Sequence, residues 1–232
     1  MSDTIVEVST PSRAYQVHVG RGLMDGIGVI CREAAGGEAA AIVTDSNVGP
    51  LYAERVSRSL ADAGYRVTSL VFAAGERNKR LSTLEDLLEG LAEAEFSRDD
   101  VVVALGGGVT GDMAGLAAAL YLRGIKVVQV PTSLLAMVDS SVGGKTAVDL
   151  AHGKNLAGAF FQPHAVIADV DCFETLSHDL FTDSCGEVIK HGVLADPTLF
   201  ASLEEHPINK PGYDPTSLPA SWRATLPSSA TW

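Results

Sequence analysis

The sequence predicts an α/β fold in which a parallel sheet is covered on both faces by helices, followed by the start of an all-helical segment. Three observations predict it. Short β-branched apolar runs alternate with helix-length amphipathic stretches from Ala39 to Val130. Val101–Leu105 runs straight into Gly106-Gly107-Gly108 and then into a small-residue helix, a strand–turn–helix in one pass. From Ser177 the period becomes purely helical.

The elements follow in order. Thr4–Val8 and Ala14–Val19 alternate around Pro11-Ser12, which predicts a β-hairpin. Leu23–Ala35 reads as a helix stopped by Gly36-Gly37, and Ala39–Val43 as a strand ending in Thr44-Asp45-Ser46-Asn47. Leu51–Ala63 is an amphipathic helix stopped by Gly64, and Arg66–Phe72 is the next strand. Leu81–Glu95 places Leu81, Leu84, Leu87, Leu88 and Leu91 on one helical face. The Val101 strand and its helix come next, then a strand at Lys126–Val130. Strands and helices of this length imply a parallel sheet whose ligands sit beyond the carboxyl ends of the strands. Asp45, Glu76, the glycine triplet and Pro131-Thr132-Ser133 all fall at such ends.

The bulk composition bounds the function. The 232 residues are 46% hydrophobic and carry a net charge of −12, with a pI near 4.8. With no basic stripe, a nucleic-acid or anionic-membrane surface is excluded as the main role. An anionic ligand would need a local pocket of lysine and arginine inside this acidic body. Cys31, Cys172 and Cys185 show neither a metal-knot spacing nor a disulfide frame. MSDTIVEVST lacks a basic n-region and an apolar core, and the longest apolar stretches fall short of a bilayer span. A cytoplasmic protein is expected.

The tail changes character. Leu180–Leu194 and Pro197–Glu205 keep helical spacing, but residues 207–232 hold five of the ten prolines and both tryptophans. That tail has a net charge of +1 against −13 for the rest. Prolines at 207, 211, 215 and 219 forbid a helix. The organisation expected is therefore an α/β domain over 1–176, the beginning of a helical domain over 177–206, and an irregular tail over 207–232 that reads as truncated or out of frame.

The chemistry concentrates at three places. Gly106, Gly108 and Gly111 satisfy G-x-G-x-x-G at a helix start, where bare N–H groups and the positive end of the helix suit a phosphate. The acidic residue usual about 20 positions on is missing, since Gln129 and Val130 stand there. If a dinucleotide binds, Asp45 is the better ribose candidate. Gly143-Gly144-Lys145-Thr146 looks like the end of a P-loop, but Asp139 occupies the place of its first glycine, which excludes that motif. Val130–Asn155 sets Asp139, Lys145, Asp149, Lys154 and Asn155 among glycines, as a long loop forming a pocket for a phosphorylated, polyhydroxylated ligand would. Glu187 and Lys190 share a helical face, where they read either as a surface ion pair or as a metal-ligating carboxylate with a cation for substrate. His191 is taken as structural and pointing elsewhere. One carboxylate does not hold a catalytic zinc, and no partner histidines stand at ligand spacing.

Together GGGVTGDMAG at 106–115, VPTSLLAMVDSSVGGK at 130–145, GKNL at 153–156 and EVIK at 187–190 resemble, in this order, the 3-dehydroquinate synthases of the sugar-phosphate cyclase superfamily. The resemblance runs from the N-terminus to about Pro215. It implies a Rossmann-like NAD-binding domain followed by a helical metal and substrate domain. It implies a lyase of the shikimate pathway to chorismate and the aromatic amino acids. Such an enzyme uses NAD and a divalent metal, zinc or cobalt, and converts 3-deoxy-D-arabino-heptulosonate 7-phosphate to 3-dehydroquinate and phosphate. By the same resemblance Asp45, Asn47, Glu76 and Lys79 contact the adenosine side of NAD. Gly107, Gly108 and Asp112 hold the pyrophosphate and nicotinamide side, with Thr132, Ser133, Lys154 and Thr175 adding contacts. Asp139, Lys145, Lys154, Asn155 and Lys190 bind substrate, and Glu187 is one metal ligand. A homodimer is the family's expected assembly. The GH-type motif whose two histidines complete the metal site in the family does not appear after Glu205, so little or no synthase turnover is expected of this chain.

Overall fold

A computed structural model describes residues 4–205 and residue 208. Nine strands and six α-helices follow one another along the chain. The opening hairpin pairs β1 (Thr4–Ser9) antiparallel to β2 (Ala14–Gly20). Then come α1 (Ile27–Ala34), β3 (Ala39–Asp45), α2 (Gly49–Asp62), β4 (Arg66–Phe72), α3 (Leu81–Glu93), β5 (Val101–Gly106), α4 (Gly108–Leu120) and β6 (Lys126–Pro131). A π-helical turn at Ala136–Ser140 leads into β7 (Lys145–Leu150) and β8 (Gly153–Phe160), and β9 (Ala165–Asp169), α5 (His178–Ala195) and α6 (Pro197–Glu205) complete the described chain.

Seven strands form one sheet in the order β1-β2-β9-β6-β5-β3-β4, parallel except for the β1–β2 pair. Its central strands read as unbroken apolar runs because both faces are covered. β5 is buried at every position. On one face Ile27, Cys31, Val56 and Leu60 from α1 and α2 join Phe181, Val188, Leu199 and Leu203 from α5 and α6 in a single core. On the other face Leu84, Leu87 and Leu91 of α3 pack with Met113, Leu116 and Ala117 of α4. The helical segment after Ser177 therefore closes onto the sheet's own core with its buried face. Its opposite side leaves Leu180, Ile189, Val193 and Leu194 exposed.

The structure departs from the expected loop at Val130–Asn155. Most of its second half is β7 and the start of β8, which pair antiparallel as a separate two-stranded sheet. Glycines hide this hairpin from pattern reading, yet one of them makes it possible. A Cβ on Gly158 would stand 2.0 Å from the Thr146 carbonyl oxygen, so only glycine admits that strand-to-strand approach. β9 was not anticipated either. It is a five-residue fully buried run without alternation, and it carries no period to read. The tail expected over 207–232 falls, apart from residue 208, outside the described residues.

Candidate functional site

The β5–α4 junction sets the site. Gly107 is extended and precedes the first helical residue, Gly108, and no side chain caps the helix start. The first turn of α4 thus presents N–H groups without intrahelical partners. The adjoining ends crowd around it. A Cβ on Gly108 would lie 3.0 Å from Ser140 Oγ and one on Gly107 would lie 3.5 Å from Ser133 Oγ. The Thr132 amide donates to the Gly106 carbonyl at 2.9 Å, which locks the end of β6 against the end of β5. A backbone cradle with no side chain filling it, at a helix N-terminus, fits the pyrophosphate of a dinucleotide.

The end of β3 flanks the cradle. Asp45 accepts from the amides of Asn47 at 2.8 Å and Val48 at 3.0 Å through Oδ1, and from the Thr110 hydroxyl at 3.2 Å through Oδ2. Asp45 therefore ties the start of α2 to the first turn of α4. After β4, Glu76 pairs with Lys154 at 3.0 Å across to β8.

Beside the cradle lies a cavity of about 430 Å³, lined by Asp112, Asp139, Ser140, Lys145, Thr146, Asn155, Leu156 and Phe160, among others. Four of the residues expected from sequence, Asp112, Asp139, Lys145 and Asn155, meet there. Lys145 donates to Asp139 at 2.7 Å, leaving both half-open to the cavity. Asp112 is half-buried; desolvation raises its pKa, and the bonded Lys79 ammonium counters that rise. Lys79 itself is buried and bridges Asp112 Oδ2 and Asn155 Oδ1, each at 2.5 Å. It therefore stands behind the cavity wall against Asp112 and Asn155 at once, the one expected on the cofactor side and the other on the substrate side. Ser140, Thr146, Leu156 and Phe160 carry no such signal in the sequence: Ser140 ends the π-helical turn, and the other three lie on β7 and β8, which are too short and too rich in small residues to show a clear period.

On α5, Glu187 is bonded to Lys190, which raises the lysine's pKa, and Lys190 lies near enough to Asp139 to feel its charge. His191 does not point elsewhere. It sits four residues after Glu187, is buried, and brings Nε2 to 3.5 Å from Glu187 Oε1 with no hydrogen-bond partner. The i,i+4 spacing from Glu187 carries that signal in the sequence. Even so, no three His, Cys, Asp or Glu side chains converge to hold a metal among the described residues. One carboxylate and one nearby imidazole fall short of a catalytic zinc set.

Thr175 is not brought to this cavity. It bonds the Tyr52 hydroxyl and donates to the Cys172 carbonyl at 3.1 Å. That places it in a second cavity, of about 220 Å³, with Arg55 and Asp169.

Residues 69–183 match the family described as 3-dehydroquinate synthase N-terminal. A 3-dehydroquinate synthase of Geobacter metallireducens is 48% identical over 199 residues, covering 86% of this chain and 55% of that protein. The chain thus spans about half the length of the curated relatives it matches. Among solved structures, a 2-epi-5-epi-valiolone synthase from Streptomyces hygroscopicus, with NAD+ and Zn2+ bound, superposes with a TM-score of 0.80 at 27% identity. That match covers 96% of this chain and 61% of the other. A 2-deoxy-scyllo-inosose synthase complexed with carbaglucose-6-phosphate, NAD+ and Co2+ gives a TM-score of 0.76 at 29% identity, over 81% of this chain and 51% of that one.

Proposed function

The chain belongs to the 3-dehydroquinate synthase family, and we propose that its described residues build the NAD-binding and much of the sugar-phosphate-binding part of such an enzyme. The reaction is the conversion of 3-deoxy-D-arabino-heptulosonate 7-phosphate to 3-dehydroquinate and phosphate. The observation that carries this reading is the side-by-side placement of the open glycine cradle and the cavity lined by Asp112, Asp139, Lys145 and Asn155.

In this reading residues 1–176 are the cofactor domain and 177–206 begin the helical one. The amides after Gly107 and Gly108 hold the pyrophosphate, Asp45, Asn47 and Glu76 face the adenosine side, and Thr132, Ser133 and Lys154 add contacts, whereas Thr175 would contribute only from the second cavity beside Tyr52. NAD bound there supplies a reversible hydride acceptor. Lys145, Lys154 and Lys190 place positive charge on the phosphate and hydroxyl oxygens of the sugar. The Asp139 carboxylate, held by Lys145, accepts from a substrate hydroxyl and fixes its orientation. Glu187 stands ready as a single metal ligand. The described residues do not complete a zinc or cobalt set, so no step is assigned to a metal here. A cytoplasmic homodimer is the assembly that goes with this role. No helix among the described residues is long and apolar enough to cross a membrane.

Other sugar-phosphate cyclases are the second reading, supported by the two solved structures at 27–29% identity. The 48% identity to a 3-dehydroquinate synthase favours the first. The test is thermal unfolding with and without NAD, followed by phosphate release from the heptulosonate phosphate with added zinc or cobalt. NAD at about 100 times its Kd should stabilise the fold by roughly 2.7 kcal/mol. Phosphate release should stay near background. An unchanged melting temperature at saturating NAD sinks the functional reading. Full turnover with added metal shows that the metal set is complete after all.

A further inference from the structure

Lys79 does not line the cavity, yet it touches two residues that do. Its side chain is 5% exposed, and a buried ammonium has three donors and no acceptor. The atom of Asn155 that meets it must therefore be the amide oxygen. The rest of Asn155 is equally constrained. Its backbone is left-handed, with φ 56°, and its amide N–H donates to Asp149 Oδ1 at 2.8 Å. Asp149 in turn donates its own amide to the Lys79 carbonyl at 2.9 Å. With the oxygen turned inward, Asn155 offers the cavity only its NH2 group. On the other side Lys79 occupies Oδ2 of Asp112 and leaves Oδ1 free to accept.

We propose that Lys79 is a positioning residue that fixes the polarity of the cavity, making Asn155 an obligate donor and Asp112 an obligate acceptor to the bound ligand. A ligand matching this arrangement carries an acceptor oxygen at Asn155 and a hydroxyl donor at Asp112, as a polyol phosphate does. The inference rests in part on the sugar-phosphate reading above, and its test separates the two.

Asn155→Asp keeps an acceptor for Lys79 but replaces the NH2 donor with oxygen. Asn155→Leu removes both. Urea unfolding of the full chain, without ligand, should place Asn155→Asp at or above the parent midpoint and Asn155→Leu below it. In Lys79→Met the Asn155→Leu change should cost less than it does in the parent, since its partner is gone and only the strain of leucine at a left-handed φ remains. Equal losses from the two Asn155 variants, or full additivity with Lys79→Met, overturn the assignment. With NAD present, binding of 3-deoxy-D-arabino-heptulosonate 7-phosphate should fall at least tenfold in Asn155→Asp although its fold is intact. Unchanged affinity overturns the donor role. If the parent itself binds none of this sugar phosphate, the functional reading fails, and the unfolding data alone decide the role of Lys79.

Discussion

Asp100 shows, at the scale of one residue, how converging donors stabilise a buried charge. It is 4% exposed and accepts from the amides of Glu38 at 3.0 Å, Ala39 at 2.8 Å and Ser97 at 2.7 Å. Burial alone would raise its pKa, but the amides of Ser97, Ala39 and Glu38 outweigh it and hold the carboxyl below its usual range. The same bonds align the start of β3 with the turn before β5. Asp100→Ala should destabilise the fold by about 2–3 kcal/mol, because it strands these donors. A urea series checks this, and a loss under about 1 kcal/mol would show that water replaces the carboxylate. Nothing in the sequence distinguishes Asp100 from Asp99 beside it. Identity is legible at the residue scale: the sequence singles out Asp112 for the cofactor and Asp139, Lys145 and Asn155 for substrate, and the fold brings all four to one cavity. Partnership is not. That Lys79 would reach Asp112 and Asn155, across sequence separations of 33 and 76 residues, depends on how three elements pack, which no local pattern encodes.

Among the elements, α4 departs most from an ordinary surface helix. It is not amphipathic. Thr110, Gly111, Met113, Ala114, Gly115, Leu116, Ala117 and Ala118 are all buried, because sheet, α3 and the β7–β8 hairpin cover it on several sides. Small residues let these neighbours come close. A Cβ on Gly115 would stand 2.5 Å from Thr146 Cγ2 and 3.4 Å from Thr146 Cβ. The Thr146 hydroxyl meanwhile donates to the Ala159 carbonyl at 2.7 Å, holding the hairpin together. Gly115→Ala should therefore cost about 1–3 kcal/mol through overpacking. Adding Thr146→Ser removes the clashing methyl, keeps the hydroxyl bond and should recover most of the loss. The four proteins of this cycle, unfolded in urea, give the coupling directly; additive losses would mean that the helix shifts instead of pressing on Thr146. The helix and strand β5 were legible because apolar runs and glycine breaks are local signals. The hairpin that presses on α4 was not. Its residues face a cavity on one side and a helix on the other, so polar and small side chains replace the usual strand alternation.

For the whole molecule, one histidine should set the acid edge of stability. His164 joins two sheet strands. Its amide donates to the Val127 carbonyl at 2.7 Å, and its Nδ1 accepts from the Val127 amide at 3.4 Å. Burial, with the charges of Arg13 and Lys126 adding to it, lowers its pKa to about 4. An unfolded histidine titrates near 6.5. Between those two values the unfolded chain holds a proton that the native chain refuses. Stability must then fall as pH drops from about 6.5 toward 4, and this contribution is complete below the native value. Asp100 acts in the same direction but only further down, once unfolded carboxylates begin to protonate near 3.9. The two effects are therefore separable by pH. Urea midpoints measured at pH 7 and pH 5 should drop for the parent chain, and the drop should shrink in His164→Gln, which keeps an acceptor for the Val127 amide but cannot take up a proton. The residual slope in that variant belongs to the other titrating groups of the chain. An unaltered slope would mean that His164 protonates without opening the β6–β9 contact, and that the acid edge lies with the carboxylates of this strongly acidic protein.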